Sequence, residues 1–242
     1  MSGSVLGFDA YIVDLDGVVT DTASLHAKAW KQLFDGLLID RQRFNGNEPF
    51  RQGEDYALHV HGLNRPEAIR KFLGSRGIVL PDGSPDDPED AVTVHGLARR
   101  KSALFRDLVA ERGINVFAGS SRFLDHLQSL GRPTALVTSS RNGEFVLERA
   151  GLGQRFDVVV DGRVLERERL ASQPAPEGFL FAAAWLGVEP AWTSVIEATP
   201  AGVTAARDGG FGCVVGVRRG SSEAALRAAG ADLVVGDLAD LL

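Results

Sequence analysis

The sequence predicts an α/β protein: a mainly parallel sheet flanked by helices, interrupted after its first strand by a mostly helical insertion. Three observations predict this class. An apolar run, Ala10 to Val13, reads as a buried strand that delivers Asp14 and Asp16 to its carboxyl end, just before Gly17. Residues 23–103 then carry apolar positions mainly at helical spacing. Beyond them the chain returns to an alternation of apolar runs and amphipathic stretches, the pattern of strand–helix units with parallel pairing. The expected division is residues 1–22 and 104–242 for the α/β core and 23–103 for the insertion. Open sheets of this class bind ligands at the carboxyl ends of their strands. Asp14 and Asp16 stand there, suited to divide the work of nucleophile or metal ligand and proton shuttle. The same residues equally suit a plain turn.

Composition narrows the function classes. The 242 residues are 44% hydrophobic and 24% charged, ordinary for a globular protein with one substantial core or a core plus a smaller inserted unit. A net charge of −6 gives no basic footprint for nucleic acid, so a phosphorylated ligand would need local positive charge. One cysteine excludes an internal disulfide and points to a reducing compartment; Cys213, inside FGCVVGV, is expected as a buried, inert thiol. With no bilayer-spanning apolar run and no export-signal pattern at the start, no membrane partner and a cytoplasmic location are expected.

In chain order, residues 24–38 form an apolar helical stripe through Leu25, Ala29, Leu33, Phe34 and Leu37. His26 and Trp30 on that stretch are open to a packing role. Residues 40–56 are polar and irregular, and Gly36, Gly46 and Gly53 argue against one continuous helix there. The segment 66–76 reads as a helix with proline near its start, PDGSPDDPED at 81–90 as an acidic surface loop, and 92–110 as a further helix. A helix over 121–131, ended by Gly131, leads into a strand at 132–140 with Thr138 at its carboxyl end. Thr138 can hydrogen-bond a phosphoryl oxygen, and Ser140, Arg141 and Asn142 open the following helix; such Ser/Thr clustering also suits plain helix capping. FDVVVDGRVL at 156–165 reads as a short hairpin or flap turning at Asp161-Gly162. A strand ending at Glu197 precedes a loop and helix, and two more strands, near Phe211 to Val217 and at 232–235, bracket a helix over Ser221 to Ala229.

The run DLDGVVTDT at 14–22 resembles the opening of haloacid-dehalogenase-like phosphatases and phosphomutases, and ASLHAKAW after it is similar to the beta-phosphoglucomutase branch. The similarity continues through RKFLGSRGI at 70–78, the segment around Lys101, VTSSRN at 137–142, QPAP at 173–176 and EATPAGVTAA at 197–206. This resemblance implies a Rossmann-like core with a helical cap, a sugar-phosphate ligand and Mg2+. It makes Asp14 the nucleophile and Asp16 the acid–base group. Asp14, Asp16 (through its carbonyl) and Glu197 become metal ligands. Thr138 contacts the transferring phosphoryl group, and His26, Arg65, Lys101, Ser140, Arg141 and Asn142 become substrate-side residues.

Two positions depart from the family pattern. A lysine is expected where Gln173 stands, and a metal-binding aspartate where Ala198 stands. Glutamine donates a hydrogen bond but no charge, and losing such a contact costs roughly 2–4 kcal/mol of transition-state stabilisation. Arg141, Arg167 and Arg169 are the candidates to compensate. Three functions remain open: a hexose-phosphate mutase, a phosphatase of the same chemistry, and a non-catalytic sugar-phosphate-binding or structural domain. For the last, similarity to degenerate domains fused to trehalose-phosphate phosphatases implies an association with trehalose metabolism.

Overall fold

The computed structural model describes residues 5–45, 48–60 and 63–242. The chain divides into two compact units, one formed by the segment up to Thr22 together with Ile114–Leu242, the other by Ala23–Gly113. After strand β1 (Ala10–Val13), the second unit supplies helices α1 (Ala23–Asn45), α2 (Glu54–His59), α3 (Arg65–Ser75) and α4 (Val94–Arg112). The chain then returns to the first unit with α5 (Ala118–Ser129), β2 (Thr134–Val137), α6 (Gly143–Arg149), β3 (Val158–Val160), α7 (Gly162–Arg167) and α8 (Glu177–Leu186). It ends with β4 (Thr193–Glu197), α9 (Pro200–Asp208), β5 (Cys213–Val217), α10 (Glu223–Ala228) and β6 (Leu233–Val235).

Among the described residues the strands form one six-stranded, wholly parallel sheet in the order β3-β2-β1-β4-β5-β6. Successive strands progress outward from β1 in both directions, so the order reverses between β1 and β4. Every residue of β1 is fully buried, which explains why the strand reads as a continuous apolar run without alternation. Ile12, Val137, Phe179, Val195, Val203 and Val214 belong to the apolar core of this unit. Cys213 is buried at the start of β5, and burial pushes its thiol pKa up.

The helical unit has its own core. Phe34 packs on Phe72 with ring centroids 4.1 Å apart, and Phe50 meets Phe72 edge-on at 5.1 Å. Trp30 stacks on Phe34 at 5.2 Å, so its packing role is real. The helix N-termini are satisfied from the sequence: Asn64 accepts from Glu67 N–H and Thr93 from Gly96 N–H.

Three sequence expectations are corrected. Helix α1 runs to Asn45 instead of stopping near 38, because buried Leu33, Phe34 and Leu38 anchor the stretch on both sides of Gly36. The boundary expected at 103/104 falls within unbroken α4; the units divide at Gly113, whose φ of +72° ends that helix. The expected hairpin at Asp161-Gly162 does not form. Val158–Val160 pairs in parallel with β2, and the Asp161 side chain accepts from the N–H groups of Arg163 and Val164. Asp-Gly is therefore a strand-to-helix cap, not a hairpin turn.

Candidate active site

Strand β1 ends by pairing Val13 with Ile196 of β4, and Asp14 N–H continues that ladder to Ile196 O at 3.0 Å. Adjacent parallel strands thus bring Asp14 and Glu197 to the same edge of the sheet, at the reversal of strand order. After Asp14 the chain folds into a tight loop: Thr20 N–H and Val19 N–H both donate to Leu15 O at 3.0 Å, and Gly17 N–H donates to Thr20 O at 2.8 Å. Gly17 adopts φ +86°, a conformation that costs little only without a β-carbon. The Thr22 hydroxyl donates to Asp16 Oδ1 and lies 2.7 Å from the Thr20 hydroxyl. The acid–base candidate is therefore held by a threonine of its own motif.

Asp14 is 6% exposed. Burial, followed by the negative charges of Glu197 and Asp16, holds its carboxyl well above the usual carboxylate range. Glu197, 1% exposed, is raised by burial, while donors from Thr199, Gln173 and Ala198 pull against the rise.

Those donors define what Glu197 does. Its Oε1 accepts from Gln173 Nε2 at 3.0 Å, and its Oε2 accepts from the backbone N–H groups of Ala198 at 2.8 Å and Thr199 at 2.9 Å. A β-carbon on Gly202 would lie 2.1 Å from the carboxyl carbon, so the carboxylate sits directly against the first turn of α9. Thr199 caps that turn through Gly202 N–H at 2.9 Å. The Ala198 methyl faces the Gly17 loop, 3.5 Å from where a Gly17 β-carbon would stand.

Thr138 is where the sequence places it, directly after β2, buried, with its N–H on Val160 O. Its Oγ1 accepts from Ser140 N–H at 3.2 Å, and Ser140 Oγ accepts from Asn142 N–H at 3.2 Å. These hydroxyls thus shape their own loop while keeping a proton to donate. Arg141 is half-exposed and engaged with Glu166 at 3.1 Å, and Arg167 with Glu168 at 2.8 Å. Neither of these two pairs with Asp14 or Glu197, so the expected compensation from them is not realised. Arg169 is set apart by its positive φ of 57°.

His26, Arg65 and Lys101 come together within the helical unit. Lys101, 2% exposed, places Nζ 2.5 Å from His26 Nδ1 and 5.1 Å from the ring centroids of both Trp30 and Phe105. His26 stacks on Phe105 at 3.9 Å. Burial first, then the charges of Lys101 and Arg65, push its pKa well down, leaving a neutral ring whose Nδ1 accepts from the ammonium. Arg65 donates to Ala98 O at 3.4 Å.

The residues present do not fit Mg2+ as the resemblance implies. Among the described residues no group of three or more His, Cys, Asp or Glu is arranged to hold a metal. Magnesium requires near-octahedral oxygen ligands, whereas both Glu197 oxygens already serve donors and position 198 offers a methyl group. Asp14, Asp16 and Glu197 nevertheless stand close enough for the charges of Glu197 and Asp16 to act on the Asp14 carboxyl. The Gln173–Glu197 bond and the Thr199 cap were missed in the sequence; Thr199-Pro-x-Gly202 was a legible capping signal.

Comparison with known proteins agrees with this geometry. The model for "haloacid dehalogenase-like hydrolase" matches residues 8–210. A beta-phosphoglucomutase of Mycobacterium bovis is 46% identical over 238 residues, covering 96% of this chain and 91% of that protein. An uncharacterised glycosyl hydrolase of Mycobacterium tuberculosis is 36% identical over 237 residues, which span 96% of this chain but 17% of that longer protein. The crystal structure of beta-phosphoglucomutase from Clostridium difficile superposes with a TM-score of 0.76 at 25% identity, covering 97% of this chain and 93% of that one. With the Asp14–Asp16 loop at the end of β1 of a parallel sheet and a helical insertion directly after it, the chain belongs to the haloacid dehalogenase-like hydrolase family and is closely similar to beta-phosphoglucomutases.

Proposed function

We propose that this chain is a sugar-phosphate-binding member of the family whose phosphoryl transfer is impaired. The observation that supports the reading is the Asp14 environment: the candidate nucleophile follows β1 directly and is buried beside two other acids, with neutral Gln173 as the side-chain partner of Glu197. In the reaction, an Asp14 carboxylate oxygen attacks phosphorus. The bond from phosphorus to the sugar oxygen breaks, and that oxygen takes its electron pair and a proton from Asp16. Thr138 donates to a phosphoryl oxygen. Water or a second sugar hydroxyl then attacks phosphorus and gives its proton back to Asp16, while the bond from phosphorus to the Asp14 oxygen breaks and its electron pair restores the carboxylate.

The difficulty is electrostatic. Asp14 must be ionised to attack, and an anionic nucleophile approaching a phosphate dianion needs compensating positive charge. Glutamine at 173 and alanine at 198 supply none. In the helical unit, the cationic pair Lys101 and Arg65 with neutral His26 supports binding of the non-transferring end of a sugar phosphate.

The reading predicts saturable binding of hexose phosphates by calorimetry, together with phosphate release that is slow and lost in Asp14→Asn. Absence of binding across a panel including glucose, fructose and trehalose phosphates would reject it. A second reading, binding without turnover, is favoured by the Glu197 carboxylate, whose two oxygens already accept three hydrogen bonds from Gln173, Ala198 and Thr199; its outcome is equal phosphate release from wild type and Asp14→Asn.

A further inference from the structure

We infer that Glu197 is a positioning residue, clamped by Gln173 and by the Ala198 and Thr199 amides, that holds the loop after β4 in a form which recruits no divalent cation. The inference rests on the core-site location in the proposed function but not on turnover. A ligand carboxylate must present a lone pair to the ion. Here one oxygen takes Gln173 Nε2 at 3.0 Å and the other takes two backbone N–H groups at 2.8 and 2.9 Å, which fill three of the roughly four lone-pair sites and leave a single one, on Oε1. The carboxylate cannot retreat toward α9, because Gly202 leaves no space beyond it for even a β-carbon, which would lie 2.1 Å away.

The neighbouring position completes the closure. Ala198 turns its methyl toward the Gly17 loop. Its carbonyl is held at 2.9 Å by the Ser221 hydroxyl, so the loop is fixed from the side of β5 as well. A carboxylate added at position 198 would start from the methyl that faces the Gly17 loop, whereas the Glu197 carboxylate lies against the first turn of α9. The clamp therefore works as an internal N-terminal anion for α9, satisfying amides that otherwise need a ligand.

The test is a titration with Mn2+ alone, read by electron paramagnetic resonance, on wild type, Glu197→Gln and Ala198→Asp, all as full chains. The wild type is expected to show no saturable binding, and Ala198→Asp to gain it. Saturable binding by the wild type, or a folded Ala198→Asp that gains none, overturns the inference. Hydrogen exchange decides the positioning role independently of whether Ala198→Asp folds. The Ala198 and Thr199 amides should exchange about tenfold faster in both Glu197→Gln and Gln173→Met, and unchanged rates would overturn it. Phosphate binding, measured separately, tests the proposed function; its failure leaves the cation result standing, and the converse also holds.

Discussion

Asp14 shows how one residue can be well placed and poorly charged. Its carboxyl is held well above the usual range by burial and by Glu197 and Asp16, so the folded state keeps a proton that the unfolded chain releases. The sign follows from linkage: this contribution to stability is complete below the unfolded carboxylate range and is lost as pH rises through the folded value. Asp14→Asn should therefore abolish aspartyl-phosphate formation yet stabilise the fold, with a larger gain at pH 8 than at pH 5. Urea unfolding at the two pH values checks it, and an equal or smaller gain at pH 8 than at pH 5 would contradict it. Gln173→Lys with Ala198→Asp places a cation and a carboxylate where both are missing. This double variant should raise magnesium-dependent phosphate release by about tenfold or more, given what a single oxyanion donor contributes.

At the scale of elements, the strand ends decide the site and small residues decide the strand ends. Gly202→Ala would drive a β-carbon into the Glu197 carboxylate. Chemical denaturation should register a loss of about 1–3 kcal/mol, the usual cost of overpacking. Asp161→Ala removes the acceptor for two N–H groups of α7 and should cost about 0.5–2 kcal/mol by the same measurement. Much of this level was legible. Fully buried β1 announced itself as an apolar run, and Asp14, Asp16 and Thr138 fall at strand ends as the pattern required. What escaped depends on partners distant in sequence. Asp161-Gly162 looks locally like a hairpin turn, and only pairing of Val158–Val160 with β2 makes it a helix cap. Gln173 and Glu197 stand 24 residues apart, and nothing in their spacing marks them as bonded to each other.

The molecule as a whole is two units, each with an apolar core of its own. Phe34 is fully buried and contacts Trp30, Phe50 and Phe72. Phe34→Ala should therefore cost about 3–5 kcal/mol, seen as loss of hydrogen-exchange protection in residues 23–113 ahead of the sheet. The helical insertion was legible from its 3.6-residue periodicity. Its end was not, because α4 runs through position 103 without any break in pattern. Under the proposed function, Asp14 is a nucleophile in a site lacking the positive charge that role needs. The most direct measurement is the steady-state rate of phosphate release from glucose 1-phosphate, with and without magnesium, for wild type beside Asp14→Asn. The account predicts wild-type turnover far below the roughly 1 per second that ordinary enzymes reach, with little response to magnesium. Magnesium-dependent turnover at or above that rate, abolished in Asp14→Asn, would contradict it.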